Sequence, residues 1–261
     1  MSLAPSEEIN TVLMHATFLV SGQKKDDPTK TVFGTVLIMS IPRQDNPRIG
    51  AAVLVTARHV LDDIGTDEAV VLVRRRNADG TYQAYPHHIR IREDGKPIYV
   101  RHKTADVAVM YVELPTDVPI TGVPTDFLVD DKHVEDIDLH PGDEAFCLGF
   151  PLAATGPGGF PILRSGHIAS YPLTPMNKIG QIDFDLLLYG GNSGGPVYYY
   201  YTNRVFKGEM HLGQFQQGVL GLVTQESRSR LPEYSDKPLN FGVVVPASII
   251  RDTISLLRAK P

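Results

Sequence analysis

With a single cysteine and no tryptophan in 261 residues, the chain lacks two common stabilising devices. Cys147 has no partner for an internal disulfide, so a disulfide-stapled scaffold is excluded. It sits in the apolar run Glu144-Ala-Phe-Cys-Leu-Gly-Phe150, where it reads as a small buried hydrophobe, and no histidine in its own motif would activate it as a nucleophile. Cations are not in excess: 25 Lys+Arg stand against 30 Asp+Glu, for a formal charge of −5. No broad cationic surface awaits phosphates or anionic lipid, and neither nucleic acid nor a membrane is an expected partner. No window approaches the roughly 18 continuous apolar residues of a spanning helix. Met1 to Asn10 carries no basic stretch followed by an apolar one, so no signal peptide is read there. The compartment stays open: the cytoplasm is favoured, and a periplasmic or secreted placement is expected if a leader has been trimmed.

What the chain has in quantity is punctuation. Its 23 glycines and 20 prolines, spread every few residues, leave few windows long enough for helices and favour many short strands. From Asn10 to Leu114 short apolar runs alternate with turn clusters. Thr11–Val20, Thr31–Met39, Ala51–Thr56, Ala69–Arg74, Tyr85–Arg92 and Val107–Val112 give six strands, enough to close a barrel. Pro115 to Pro141 is rich in Pro and Asp and reads as a connector. Its acidic stretch Asp130 to Asp138 lacks the central glycine of a hard-cation loop, so a solvated linker is expected and no metal site. Six further runs follow: Glu144–Phe150, Gly166–Ser170, Gln181–Leu188, Pro196–Tyr201, Val219–Thr224 and Asn240–Val245. Pro246 to Lys260 then places Ile250, Ile254 and Leu257 on one face of a closing helix. The expectation is an all-β chain of two six-stranded antiparallel β-barrels: residues 10–118, a linker over 119–140, residues 141–245, and a C-terminal helix over 246–261.

The most informative string is Gly190-Gly-Asn-Ser-Gly-Gly-Pro196. Glycines on both sides of one serine open backbone conformations closed to other residues and let a substrate backbone approach the hydroxyl. A plain hairpin turn would not need so many small residues ending in proline. In Thr56-Ala-Arg-His-Val60, His59 follows an apolar strand, and in Ala105-Asp-Val-Ala-Val-Met110, Asp106 stands at the mouth of another. Alone, either is ordinary. Together, in the order His, Asp, Ser, they offer a nucleophile, a base and a group to orient the base.

On these three motifs the sequence resembles the trypsin-like, chymotrypsin-fold serine proteases, whose signatures are Thr-Ala-x-His, an Asp before an apolar strand, and Gly-x-Ser-Gly-Gly-Pro. The resemblance runs from about Val12 to Val245. Within the family it is nearest to bacterial HtrA-type (Deg-like) domains, through Asn192, Gly142 to Pro151, Arg164 to Ser170 and Phe241-Gly-Val-Val-Val-Pro246. It departs from that branch in that no PDZ module is expected after the last helix of this sequence.

The resemblance implies a serine endopeptidase acting on polypeptides through an acyl-enzyme, with no cofactor. Ser193 would be the nucleophile, His59 its base and Asp106 the group that orients His59, with the backbone N–H groups of Gly191 and Ser193 as the oxyanion hole. It also implies a substrate-side pocket walled by Leu186 to Gly190, Val223 to Glu226 and Asn240 to Gly242, with Leu187, Thr224, Glu226 and Gly242 as substrate-binding residues. Leu187 at the pocket base, where trypsins carry an acid, implies an apolar or small residue at P1. Asn192, uncharged, cannot form the ion pair with a new N-terminus that trypsin-type zymogens use. Two other readings stay open: a catalytically silent peptide-binding homologue, and an esterase or autoproteolytic domain with the same triad. The sequence does not specify an oligomeric state, nor whether the tyrosines of Tyr198 to Gln217 bind a ligand or only pack.

Overall fold

The computed structural model describes residues 8–42, 50–118, 120, 122–228 and 238–258. Its N-terminal half runs α1 (Ile9–Ala16), β1 (Thr17–Gln23), β2 (Thr31–Pro42), β3 (Gly50–Thr56), α2 (Arg58–Asp63), β4 (Glu68–Arg76) and β5 (Tyr82–Arg90). Five short strands complete it: β6 (Arg92–Glu93), β7 (Lys96–Pro97), β8 (Val100–Arg101), β9 (Ala108–Tyr111) and β10 (Val123–Pro124). After α3 (Asp131–Asp136) the C-terminal half runs β11 (Glu144–Gly149), β12 (Ile162–Ile168), α4 (Met176–Ile179), β13 (Ile182–Asp185), β14 (Pro196–Phe206), β15 (Glu209–Arg228), β16 (Pro238–Pro246) and α5 (Ala247–Arg258).

The C-terminal half is a closed antiparallel barrel in the order β11-β12-β13-β16-β15-β14. The N-terminal half is a barrel-like sheet of eight strands, ordered β5-β4-β1-β2-β3-β9-β8, with β10 added in parallel beside β2. The two-barrel, all-β architecture is therefore present, with a C-terminal helix. Alternating burial dominates in β4, whereas Gly34 to Met39 of β2 are buried without a break. Continuous burial marks a strand covered on both faces: β2 has its own core on one side and, as the Thr35 N–H to Ser193 carbonyl bond of 2.8 Å shows, the other half of the molecule on the other. Buried residues of both halves merge into one contiguous cluster.

The run Thr11–Val20, read from the sequence as one strand, divides. Its first part belongs to α1 because Ile9, Leu13 and Ala16, at helical spacing, are all fully buried on one face, and the strand starts only at Thr17. This helix touches both halves. Ile9 N–H donates to Gln217 Oε1 at 3.1 Å and Tyr198 hydroxyl donates to Asn10 Oδ1 at 2.8 Å, while Arg74 of β4 donates to the carbonyls of Met14 and His15 at 3.0 and 3.1 Å. Arg74 is only 3% exposed and has no carboxylate partner among the described residues. It is sandwiched between the rings of Phe18 and Phe160 at 4.2 and 4.4 Å, and donates a further bond of 3.1 Å to the Gly159 carbonyl. Burial lowers its pKa to about 9, and three carbonyls with two aromatic faces supply the compensation a buried cation needs.

The stretch read as an irregular connector holds more order than its composition suggested. Asp130 caps α3 by accepting from His133 N–H at 2.8 Å, a standard exchange of side-chain oxygen for an orphan helix donor. Pro119 and Thr121 lie outside the described residues, as do the last three residues of the helix segment. Alternating burial does not account for the tyrosine run. Tyr198 and Tyr199 are both fully buried, because α1 covers one face of β14 and His133 of α3 meets the Tyr199 hydroxyl on the other. α5 packs on β15 and β16 and also reaches β8 and β9, so both terminal helices bridge the halves. Among the described residues no helix is long and apolar enough to cross a membrane.

Candidate active site

His59 lies in the first turn of α2, which starts directly after β3; Asp106 lies in the turn before β9, the strand that pairs with β3. Neighbouring strands thus deliver the two side chains to one edge. His59 Nδ1 meets Asp106 Oδ2 at 2.6 Å, and the His59 backbone N–H donates to Asp106 Oδ1 at 2.9 Å. Both carboxylate oxygens are therefore bonded to one residue, which fixes the ring's orientation and leaves Nε2 outside the pair. Burial of the imidazole works to lower its pKa, but the hydrogen bond and charge of Asp106, with Asp63 behind, outweigh it and the net direction is upward. For Asp106, burial works to raise the pKa, and the bonds from His59 with the charge of Arg58 bring it below the ordinary carboxylate value.

Ser193 arrives from the other half on the turn before β14. Its hydroxyl donates to the Thr224 carbonyl at 3.2 Å, and among the described residues no hydrogen bond joins it to His59. The glycine loop is pinned from both sides. Thr35 N–H donates to the Ser193 carbonyl at 2.8 Å and Thr35 Oγ1 to the Gly191 carbonyl at 2.7 Å, while Thr56 Oγ1 holds the Thr35 carbonyl at 2.7 Å. Within its own half, Gly194 N–H donates to Val223 at 2.6 Å and Leu152 N–H donates to the Gly190 carbonyl at 2.7 Å. Since a trans peptide sets C=O and N–H on opposite sides, the last bond turns the Gly191 N–H away from Leu152. Neither this N–H nor that of Ser193 has an acceptor among the described residues. Gly191 has φ +97° and Gly194 φ +89°; a Cβ on either would collide with a carbonyl oxygen, that of Phe150 or of Thr35. Only glycine fits here.

Residues 43–206 match the family described as trypsin-like peptidase domain. The chain belongs to that family. No curated protein sequence matches it. Among solved structures, HtrA-type protease AlgW with a decapeptide aligns at 15% identity and a TM-score of 0.52, covering 99% of this chain and 68% of that one. Protease Anisep from Arthrobacter nicotinovorans aligns at 13% identity and a TM-score of 0.53, covering 95% and 98%. The Rv3671c protease from M. tuberculosis in its active form aligns at 16% identity and a TM-score of 0.50, covering 98% and 87%. At such identities the likeness is one of fold.

In this trypsin-like domain the residues expected around the substrate pocket are placed unequally. Thr224 is buried, and its Oγ1 donates to the Val243 carbonyl at 3.2 Å. Gly242 pairs with Glu226 across β15 and β16, and the Glu226 side chain lies outside the described residues. Leu187 is 43% exposed, with its carbonyl held by Arg164 Nη1 at 3.2 Å. Its neighbours Leu186 and Leu188 are buried instead, and Leu188 packs on Gly242 so closely that a Cβ there would collide with its side chain. The sequence reading named Leu188 only as part of the wall Leu186 to Gly190, and it missed Thr35 and the Leu152 N–H. A threonine inside the otherwise apolar run Val32 to Met39 was the available signal for Thr35; nothing local marks the other two. Asn192 is buried, and its Nδ2 has no hydrogen-bond partner among the described residues. Cys147 is buried and its thiol is pushed up to about 12, an inert group.

Proposed function

We propose that the chain is a serine endopeptidase in which Ser193 attacks a peptide carbonyl, His59 takes its proton, and Asp106 holds the ring and stabilises the imidazolium. The carrying observation is the 2.6 Å contact of His59 with Asp106, together with a serine loop in which the backbone N–H groups of Gly191 and Ser193 have no acceptor among the described residues. Preorganised donors of this kind favour the tetrahedral oxyanion over the planar carbonyl, and losing one typically raises the barrier by about 3 to 4 kcal/mol. In the resting arrangement the Ser193 hydroxyl rests on Thr224; a rotation about its Cα–Cβ bond carries it towards Nε2 when substrate enters. The acyl-enzyme then forms as the amine leaves with the proton from His59, and water reverses the sequence.

Substrate would lie extended in the cleft between residues 10–118 and 141–245, against the Thr224 to Glu226 edge. Leu188 seated on Gly242 fills the space behind the segment 186–190, which supports a shallow pocket for a small or apolar P1 side chain. That AlgW was solved with a decapeptide accords with a polypeptide substrate. The test is labelling by a peptide phosphonate with alanine or valine at P1, read by mass spectrometry. Modification at Ser193 is the expected result; an unlabelled, folded chain would leave a peptide-binding homologue as the reading.

A further inference from the structure

Arg58, the residue before His59, points back at the same carboxylate. Its Nε lies 4.0 Å from Asp106 Oδ1 and 3.8 Å from Asp62 Oδ2. Asp62 is itself anchored: its Oδ1 accepts from the Tyr99 hydroxyl at 2.6 Å and pairs with Arg101 Nη2 at 2.7 Å, and Arg101 also donates to the Tyr99 oxygen at 3.3 Å. Tyr99 is 3% exposed, so this assembly has a rigid end in the core and a guanidinium at the other, laid against the Asp106 oxygen that does not face the imidazole.

We propose that Arg58, held by the Asp62–Tyr99–Arg101 assembly, is a positioning residue for the His59–Asp106 pair: it shares the Asp106 charge, so that the base gives up its proton at a lower pH than the pair alone would allow. The physical reason is competition. A carboxylate neutralised in part by a fixed cation attracts an imidazolium less, and the neutral form that accepts the serine proton persists further into acid. The Arg58 charge acts downward on both His59 and Asp106, in the sense the geometry requires. Other charged groups surround the pair. Asp62 and Asp63 stand on α2; Arg101 is on β8 with Tyr99 and His102 at its two ends, and His102 Nδ1 accepts from the N–H groups of Thr104 and Ala105. Across the cleft Lys178 and Asp252 share a cavity of about 360 Å³ with His102 and Ala105. Ser193 and Thr224 bring no charge. Of these, Arg58 is the cation within 4.0 Å of Asp106.

The inference rests on His59 as the base, and its test is read without substrate first. The His59 ring is titrated by proton NMR in the native chain, Arg58→Gln and Arg58→Lys, at low and high salt, and kcat/KM is then measured against pH. In Arg58→Gln the midpoint should move to higher pH, and kcat/KM on the acid limb should fall about two- to threefold, the loss fading towards alkaline pH. Arg58→Lys should restore most of the difference, and high salt should narrow it. A midpoint that stays or moves down in Arg58→Gln, or an equal loss at every pH, would overturn the proposal. A midpoint that responds in a chain without peptidase activity would instead sink the endopeptidase reading and leave the role of Arg58 standing.

Discussion

His59 and Asp106 are fastened to each other by bonds lying wholly within the N-terminal half, whereas the Ser193 loop is fastened across the boundary between halves. The first pair needs only β3 and β9 in register. The second needs Thr35 and Thr56 from one half together with Leu152 and Val223 from the other. The difference means that the His59–Asp106 pair forms as soon as one sheet forms, while the Ser193 loop takes its geometry only when the halves are docked. A disturbance of the docking surface should therefore strike the nucleophile loop first and leave the His–Asp pair intact.

The strongest test of this separation is Ser193→Ala. Peptide hydrolysis should fall by about 10⁴- to 10⁶-fold, while the NMR titration of His59 keeps its raised midpoint; residual turnover near the native rate would remove Ser193 from the mechanism. Gly191→Ala comes next. With φ +97° and the Phe150 carbonyl in the way, the added methyl should shift the peptide and lower kcat by about 10²- to 10³-fold, again without moving His59. Thr35→Val removes the bond to the Gly191 carbonyl from the opposite half; kcat should drop about tenfold with KM little changed, and Thr35→Ser should recover most of it. Equal effects of Thr35→Val on the His59 midpoint would erase the distinction between the two fastenings.

The pH dependence separates activity from stability by sign. Because the His59 pKa is raised above 6.5, activity, which needs the neutral ring, should rise with pH through a midpoint above that value. The stabilising attraction between imidazolium and Asp106 runs the other way: it is complete below the unfolded histidine value and lost as pH rises through the folded one. Asp106, whose pKa is depressed, contributes above the ordinary carboxylate value and loses that contribution as pH falls through the folded one. Parallel pH profiles of kcat/KM and thermal midpoint would contradict the assignment. The smallest effect is expected from trimming the chain before Ile9. The loop bonds described above involve no N-terminal amine and Asn192 is uncharged, so kcat/KM should change less than about twofold. Strict dependence on the cut would require a different switch.

Much of this arrangement was legible in the sequence because the chemistry is written in short local strings. Strand-edge histidine, strand-mouth aspartate and glycine-flanked serine each need particular residue types within a few positions of one another, and punctuation by glycine and proline marked the strands between them. What escaped depends on pairing across distance. α1 was read as strand because Thr11 to Val20 is apolar under either period, and only the burial of Ile9, Leu13 and Ala16 decides for a helix. Leu188 was named only within a wall of five residues, because its particular role lies in what Gly242 lacks, a relation between residues far apart in the chain. The Leu152 N–H escaped because a backbone donor leaves no trace in side-chain identity. Arg58 was visible but mute, since its meaning depends on where Asp62 and Tyr99 fall.

The double attachment of α1 carries a mechanical consequence. A tether pulling on the N-terminus would load the Gln217 and Tyr198 contacts on one half in series with the Arg74 contacts on the other, so that tension reaches the seam between the halves before it reaches any strand. Stretching there would part Thr35 from the Ser193 loop while both sheets stayed folded. Handled by its N-terminus, the molecule should lose its nucleophile geometry at a force well below that which unravels it.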